Sequence, residues 1–450
     1  MITQDIVKGK GLFPKYAVFL APTGEKFFRK MKIFLAPGAA ILFNRGMKNT
    51  GGDPMNHILE ELQPSASVTL MARAKEMQKA DPTVIGLAGG EPDFDTPERI
   101  TRAAIDSLLA GNTHYTDSAG IPELRAAIAG KLRADNGIDA DAARVLVTPG
   151  GKYAIYLTVN ALLTPGEEAL ILDPSWVSYG PIVRAAHGVD VHVKLQAAEA
   201  YRITREALEA AVTDRTRLLI LNYPNNPTGR ILHADEAEAV EAFLLAHPQV
   251  WLLSDEVYET IVYGEKSLSM GARPAVADRV VTVNGFSKCA AMTGWRLGYL
   301  HAPEPAFRLI ARLYSHSMSC ASGFLQAGAA EAFSCREEME RMRRVYEQRR
   351  DLFIGAMNAI PGVRAEYPEG AFYAWVFFDL PGMDSQAVST YLMERARVVG
   401  MPGSAYGEEG CALRFSFANA TEDMAEAARR IREAILALAP AQAPDRLASP

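Results

Sequence analysis

Five short runs between residues 143 and 284, ARVLVT, EALILD, RLLILN, VWLLSD and RVVTVN, are apolar at consecutive positions rather than at alternate ones. A strand that hides one face alternates apolar with polar residues, whereas a strand covered on both faces does not. The stretches between the runs carry helix signals instead. DEAEAVEAFLLAHP reads as a helix, TPERITRAAIDSLLAGN offers Thr96 as N-cap with Pro97 in the first turn, and IPELRAAIAGKLRADNG opens on a proline and closes on Gly137. Buried strands alternating with helices predict an α/β fold: a mostly parallel sheet covered by helices on both faces.

Beyond residue 303 the pattern changes. A long charged helical segment, EEMERMRRVYEQRRDLFIGAMNAI, is followed by alternating stretches such as GAFYAWVFF and CALRFSF. These predict a smaller α+β domain over 303–438, joined by an N-terminal arm at 56–96, beside a large domain at 97–302. The ends read differently. Residues 1–54 hold two similar pieces, VFLAPTG and IFLAPGA, and nine Lys and Arg against three Asp and Glu. Two readings stand for this extension: a loosely ordered, surface-associating segment, or upstream sequence translated ahead of a start at Met47 or Met55. The lack of a sustained helical or strand period favours the second. Its longest apolar run, Ile33 to Phe43, is broken by Pro37 and Gly38 and is too short to span a bilayer. The tail 439–450, rich in Pro and Ala, is expected to be disordered.

At 450 residues with 49% hydrophobic positions the chain is too apolar to be disordered, and its net charge is −6. With the basic residues concentrated in the extension, the body is acidic, which argues against a nucleic-acid binder. The four cysteines, Cys289, Cys320, Cys335 and Cys411, show neither metal-ligand spacing nor disulfide density, so no metal is expected and a cytoplasmic enzyme fits best.

Open α/β sheets bind ligands outside the carboxyl ends of their strands, so the residues that follow each run are the informative ones. ARVLVT runs into PGGK and then a helix, where free amides and the positive end of the dipole face an anion. RLLILN is followed by YPNNPTG, which holds Asn226 in a proline-stiffened turn. VWLLSD ends on Asp255 with Tyr258 three residues on, and RVVTVN leads through GFS to Lys288, with Arg296 eight residues later. Taken singly, a GGK is a turn, an NNPTG is a turn and an Asp after a strand is a helix cap. Together they place an anion cradle, a carboxylate, a phenol, an amide, a lysine and an arginine at one sheet edge. That set fits a cofactor with a phosphate, a ring nitrogen, a ring oxygen and an aldehyde.

Over residues 56–435 the chain resembles the class I pyridoxal-phosphate-dependent aminotransferases, the fold group typified by aspartate aminotransferase. The resemblance rests on GGEPDFDTP (89–97), HYTDSAGIPELR (114–125), VTPGGK (147–152), DPSWVSY (173–179), NYPNNPTG (222–229), SDEVYE (254–259), SKCAAMTGWRLGY (287–299), EGAFYAW (369–375) and LRFSFA (413–418), in the family's order. It implies pyridoxal 5′-phosphate held covalently by Lys288, which also moves the substrate proton. It further implies Asp255 at the pyridine nitrogen, Tyr258 and Asn226 at the ring oxygen, and Trp176 on the ring face. Gly150, Gly151, Lys152 and Arg296 would hold the phosphate, with Tyr115 reaching it from the partner of a homodimer. Gly90, Asn226, Trp176 and Arg414 would hold the substrate, Arg414 gripping its carboxylate with a fork no lysine reproduces.

Two departures stand out. Gly285 lies three before the lysine where relatives carry Ser or Thr, with Ser287 adjacent to the lysine instead, and Gln63 precedes PSAS where aspartate-type members carry a lysine. The implied reaction is transfer of an amino group between an L-amino acid, aspartate-type or aromatic, and a 2-oxo acid by a ping-pong route. The alternatives on this scaffold are a carbon–sulfur β-lyase or decarboxylase, since cofactor residues do not fix which α-carbon bond breaks, and a cofactor-binding regulator. The regulator is disfavoured because residues 1–54 hold no capped helix pair.

Overall fold

The computed structural model describes residues 57–438, so the expectations for the extension and for the tail lie outside the described residues. After a first short strand, β1 (Ile85–Gly86), seven strands build the central sheet. They are β2 (Val145–Thr148), β3 (Glu168–Asp173), β4 (Val189–Lys194), β5 (Thr216–Asn222), β6 (Trp251–Asp255), β7 (Val280–Gly285) and β8 (Gly298–His301), in the spatial order β2-β8-β7-β6-β5-β3-β4. All neighbouring pairs are parallel except those of β8, which runs antiparallel between β7 and β2.

Successive residues of these strands enter opposite cores, which is why their sequences are apolar throughout. Ile171, Ile220, Leu253, Val281 and Val283 pack under helices Gly151–Leu162 and Glu304–Ser317. Their neighbours Leu170, Leu219, Leu221, Leu252 and Val280 pack under helix Ala234–Ala246. β4 and β8 escape the sequence reading for opposite reasons. β4 is an edge strand with half its residues polar, and β8 is only four residues long and follows directly on the lysine segment.

The last five strands are β9 (Val363–Ala365), β10 (Tyr373–Phe378), β11 (Val398–Val399), β12 (Met401–Pro402) and β13 (Ala412–Ser416). An antiparallel sheet of order β12-β13-β10-β9 packs against helices Arg336–Asn358 and Thr421–Leu438, while β11 pairs in parallel with β1. Helix Pro122–Asn136 ends as expected, with Gly137 in the left-handed conformation at φ 73°. The Thr96 cap is not realised. Pro97 occupies the cap position of helix Glu98–Leu109, and the Thr96 hydroxyl donates to the carbonyl of Ala291 at 2.8 Å. A distant carbonyl has taken the hydroxyl that local spacing had assigned to the helix. Among the described residues no helix is long and apolar enough to cross a membrane.

Candidate active site

The carboxyl ends of β2, β3, β5, β6 and β7 share one edge of the sheet, because β8, the strand that runs the other way, sits inside it. A cavity of about 320 Å³ opens there, lined by residues that follow each of the five strands and closed by β10, β13 and helix Ala66–Ala80. Within one chain it gathers Gly90, Gly151, Lys152, Trp176, Asn226, Asp255, Tyr258, Lys288, Arg296 and Arg414. Tyr115 is not among them; it stands 88% exposed on the surface. Gln63 is exposed too, whereas Ser67 and Met71, one helical turn apart, line the cavity.

Lys288 rides on a single helical turn, Phe286–Cys289, directly after β7. Its ammonium donates to the carbonyl of Gly90 at 2.5 Å. Burial, opposed by Glu91 and reinforced by the Arg414 and Arg296 charges, pulls its pKa down to about 8. Asp255, at the end of β6, is the counterpart acid. It accepts from the Tyr179 hydroxyl at 2.7 Å and the Val257 amide at 3.3 Å, and burial pushes its carboxyl up to about 6 despite both.

Arg414, 3% exposed on β13, donates from Nη1 to the Asn226 Oδ1 at 2.8 Å and from Nη2 to the Ala88 carbonyl at 2.6 Å. Its Nε has no partner among the described residues, a buried donor left to a ligand. Asn226 is itself fixed through its backbone N–H, which donates to the Asn222 Oδ1 at 2.9 Å, while the Asn222 Nδ2 donates to the Asp255 carbonyl at 3.0 Å. The ends of β5 and β6 are thereby tied to one another before any ligand is considered.

The β2 turn is shaped by what glycine leaves out. Gly150 has φ 87°, and a Cβ there would fall 2.5 Å from the Arg296 guanidinium; a Cβ on Gly298 would fall 2.4 Å from the Gly151 amide. The bare backbone lets Arg296 close over the first turn of helix Gly151–Leu162, whose leading amides have no acceptor within the helix. Lys152 lies 4.8 Å from the centre of the Trp176 ring. Burial, with the Arg296 charge, lowers its pKa.

Two tyrosines that sequence reasoning passed over complete the lining. Tyr179 supplies the hydrogen bond to Asp255. Tyr373 shares a 2.7 Å hydroxyl contact with Tyr258, stacks 4.2 Å from the Arg414 guanidinium, and stands where a Cβ on Gly90 would be, 2.4 Å from its hydroxyl. Both lie inside motifs quoted above, DPSWVSY and EGAFYAW, but neither ends a strand, so the edge rule did not select them. Glu91 and Thr293, which bond to each other, also line the cavity; they lie inside the quoted motifs GGEPDFDTP and SKCAAMTGWRLGY but were not singled out there.

A sequence model of the family described as aminotransferase class I and II matches residues 82–431. An aspartate aminotransferase from Musicola paradisiaca is 41% identical over 378 residues, which cover 82% of this chain and 94% of that protein. A probable aspartate/prephenate aminotransferase from Aquifex aeolicus is 39% identical, over 84% of this chain and 97% of the relative. The crystal structure of the aspartate aminotransferase from Rhizobium meliloti superposes with a TM-score of 0.81 at 36% identity, covering 86% of this chain and 99% of that one.

Proposed function

This chain belongs to the class I and II aminotransferases and uses pyridoxal 5′-phosphate to transfer amino groups, and we propose that its amino donor is an acidic amino acid, aspartate first. One observation carries the reading. Four cations, Lys152, Lys288, Arg296 and Arg414, line one cavity, and none forms an ion pair with a carboxylate of the described residues. Arg414 is buried and Lys288 half-buried, and an unpaired cation held out of water is costly unless a ligand supplies the counter-charge.

The residues present fit the cofactor. Asp255 is a buried carboxyl with no cation hydrogen-bonded to it, so a protonated ring nitrogen is the partner its environment calls for. Arg296 and the glycine-shaped helix start suit the phosphate, Trp176 offers a ring face, and Tyr258 and Asn226 offer hydrogen bonds at the ring oxygen. When bound, the cofactor supplies an electron sink for the charge that develops at the substrate α-carbon.

The chain's own residues do the rest. Lys288 would hold the cofactor, and its Nζ would carry the proton to and from the substrate α-carbon; an amine brought down to about 8 accepts and returns protons near neutral pH. Arg414, pre-oriented by Asn226 and Ala88, takes the α-carboxylate as a fork. With Arg296 and the helix start taken for the phosphate, Lys152, which the resemblance had grouped with them, is left for a second carboxylate, and that is what favours aspartate. Tyr115, too exposed to serve its own chain, supports a homodimer in which it reaches the partner's phosphate. Four free cysteines and an acidic body support a cytoplasmic setting. The same reading divides 56–438 into a cofactor-binding part, 97–302, and a smaller part made of 303–438 with the arm 56–96.

The test is an absorption spectrum of the purified protein. Aspartate alone should bleach the visible band and a 2-oxo acid restore it. Lys152→Met should raise KM for aspartate about tenfold or more while leaving KM for alanine nearly unchanged; equal effects on both donors would refute the assignment of Lys152.

A further inference from the structure

Behind the turn that carries Lys288 lies a second cavity, of about 310 Å³, which shares no lining residue with the first. The two alternate along the chain: Tyr258 and Lys288 face the first, Glu259 and Cys289 the second. Its walls are aromatic and apolar, built from Phe286, Phe333 and Met339. Its charges are already matched. Lys131 is paired with Glu259 and held by Asn136, Arg336 bonds Asp135 at 2.9 Å, and Glu340 is held by Arg343 and Arg344. Nothing at this rim calls for an ion.

What remains unmatched is a set of neutral polar groups on one face of β7 and β8. Asn284 and Tyr299 are direct cross-strand partners, so their side chains stand together, and both line the cavity. The Asn284 amide nitrogen is buried, in a residue 3% exposed, and has no partner among the described residues. The Tyr299 hydroxyl likewise has no hydrogen-bond partner there. The next pair on the same face, Thr282 and His301, repeats the pattern with an unpartnered Oγ1 and Nε2. Of seven such orphaned atoms among the described residues, three fall on this face, the Asn284 nitrogen at the cavity and the other two beyond its lining.

We propose that this cavity is a second small-molecule site, for a neutral aromatic compound whose carbonyl oxygen accepts from Asn284 and Tyr299 while its ring lies against Phe286 and Phe333. The volume is at the lower end of small-molecule pockets, and an apolar wall with a few convergent polar groups is their usual make-up. Because Phe286 and Cys289 flank Lys288 on one turn, the occupant sits one residue away from the catalytic machinery without touching it.

Benzamide is the probe, titrated into the intact holoenzyme and followed by saturation-transfer NMR. A molecule of this size should bind with a Kd of about 1 mM. Tyr299→Phe should weaken it about threefold to tenfold by deleting one donor. Met339→Trp, which fills the cavity from its half-buried rim, should abolish binding and leave transaminase activity unchanged, which also shows that the variant folds. No saturation at the solubility limit of benzamide would overturn the proposal. So would binding that both variants leave intact, since the probe would then be elsewhere, the substrate cavity included.

Discussion

Arg414 and Asn226 meet at 2.8 Å across 188 residues of chain, and the contact links the antiparallel sheet to the edge of the parallel one. The guanidinium is aimed before any substrate arrives, because both its terminal nitrogens are already committed to fixed acceptors. Asn226→Ala frees one of them. The loss of a hydrogen bond to a charged group predicts a rise in KM for the amino acid of about tenfold to a hundredfold, with a smaller change in kcat. Steady-state kinetics with aspartate measures it.

Arg414→Lys keeps the charge and removes the planar fork. kcat/KM should fall by about 100-fold or more, because one ammonium cannot satisfy both oxygens of a carboxylate and also the Asn226 and Ala88 acceptors. A variant with near-normal kcat/KM would mean that the carboxylate binds elsewhere.

Gly90→Ala should damage the enzyme through Tyr373. The new Cβ would fall 2.4 Å from the tyrosine hydroxyl but 3.5 Å from the ring carbon that bears it. Removing the hydroxyl removes the clash. Tyr373→Phe is therefore expected to rescue Gly90→Ala, so that a double-mutant cycle on kcat/KM returns a coupling of about 1 kcal/mol or more. Strict additivity would sink this account.

The buried Asp255 predicts a stability trend with a definite sign. Its folded pKa of about 6 lies above the usual carboxylate value, so the native cofactor-free protein holds that proton more tightly than the unfolded chain. Stability contributed by the neutral form is present at low pH and is lost as pH rises from about 4 through 6. Above pH 6 the charged carboxylate costs about 3 kcal/mol at most, from roughly two pKa units. Cofactor-free Asp255→Asn should accordingly melt higher than the parent at pH 8, and the gap should close as pH falls toward 4. Thermal melts of the two cofactor-free proteins across that range are the measurement.

Lys288, the proposed point of attachment, predicts the pH at which the cofactor is captured. An amine with a pKa near 8 is substantially neutral under mild conditions, so the rate of attachment to the cofactor-free protein should rise with pH and level off above about 8, not near 10.5. Lys288→Ala should lower kcat by about 10⁴-fold, the loss of its acid–base role alone accounting for most of that.

The parallel sheet was legible because burial on both faces leaves a signature that no other element shares, and EALILD spans the same residues as β3. The ends of those strands then selected Asp255, Asn226, Lys288 and the Gly150 turn by position. Tyr373 and Tyr179 escaped because their roles arise from packing between segments far apart in sequence, Tyr373 against Gly90 and Tyr179 against Asp255. Thr96 misled for a related reason, since its hydroxyl found a carbonyl nearly 200 residues away. Local patterns report local preferences, and these three side chains answer to distant ones.

The lining of the substrate cavity begins with Ser67 and ends with Arg414, and every layer of the molecule contributes to it. No fragment emerging from the ribosome contains the site until residues 67 through 414 have all been made. Contacts that span such separations form late in folding. A chain that stops before β13 therefore has Lys288 but lacks Arg414, and its cavity is missing one wall.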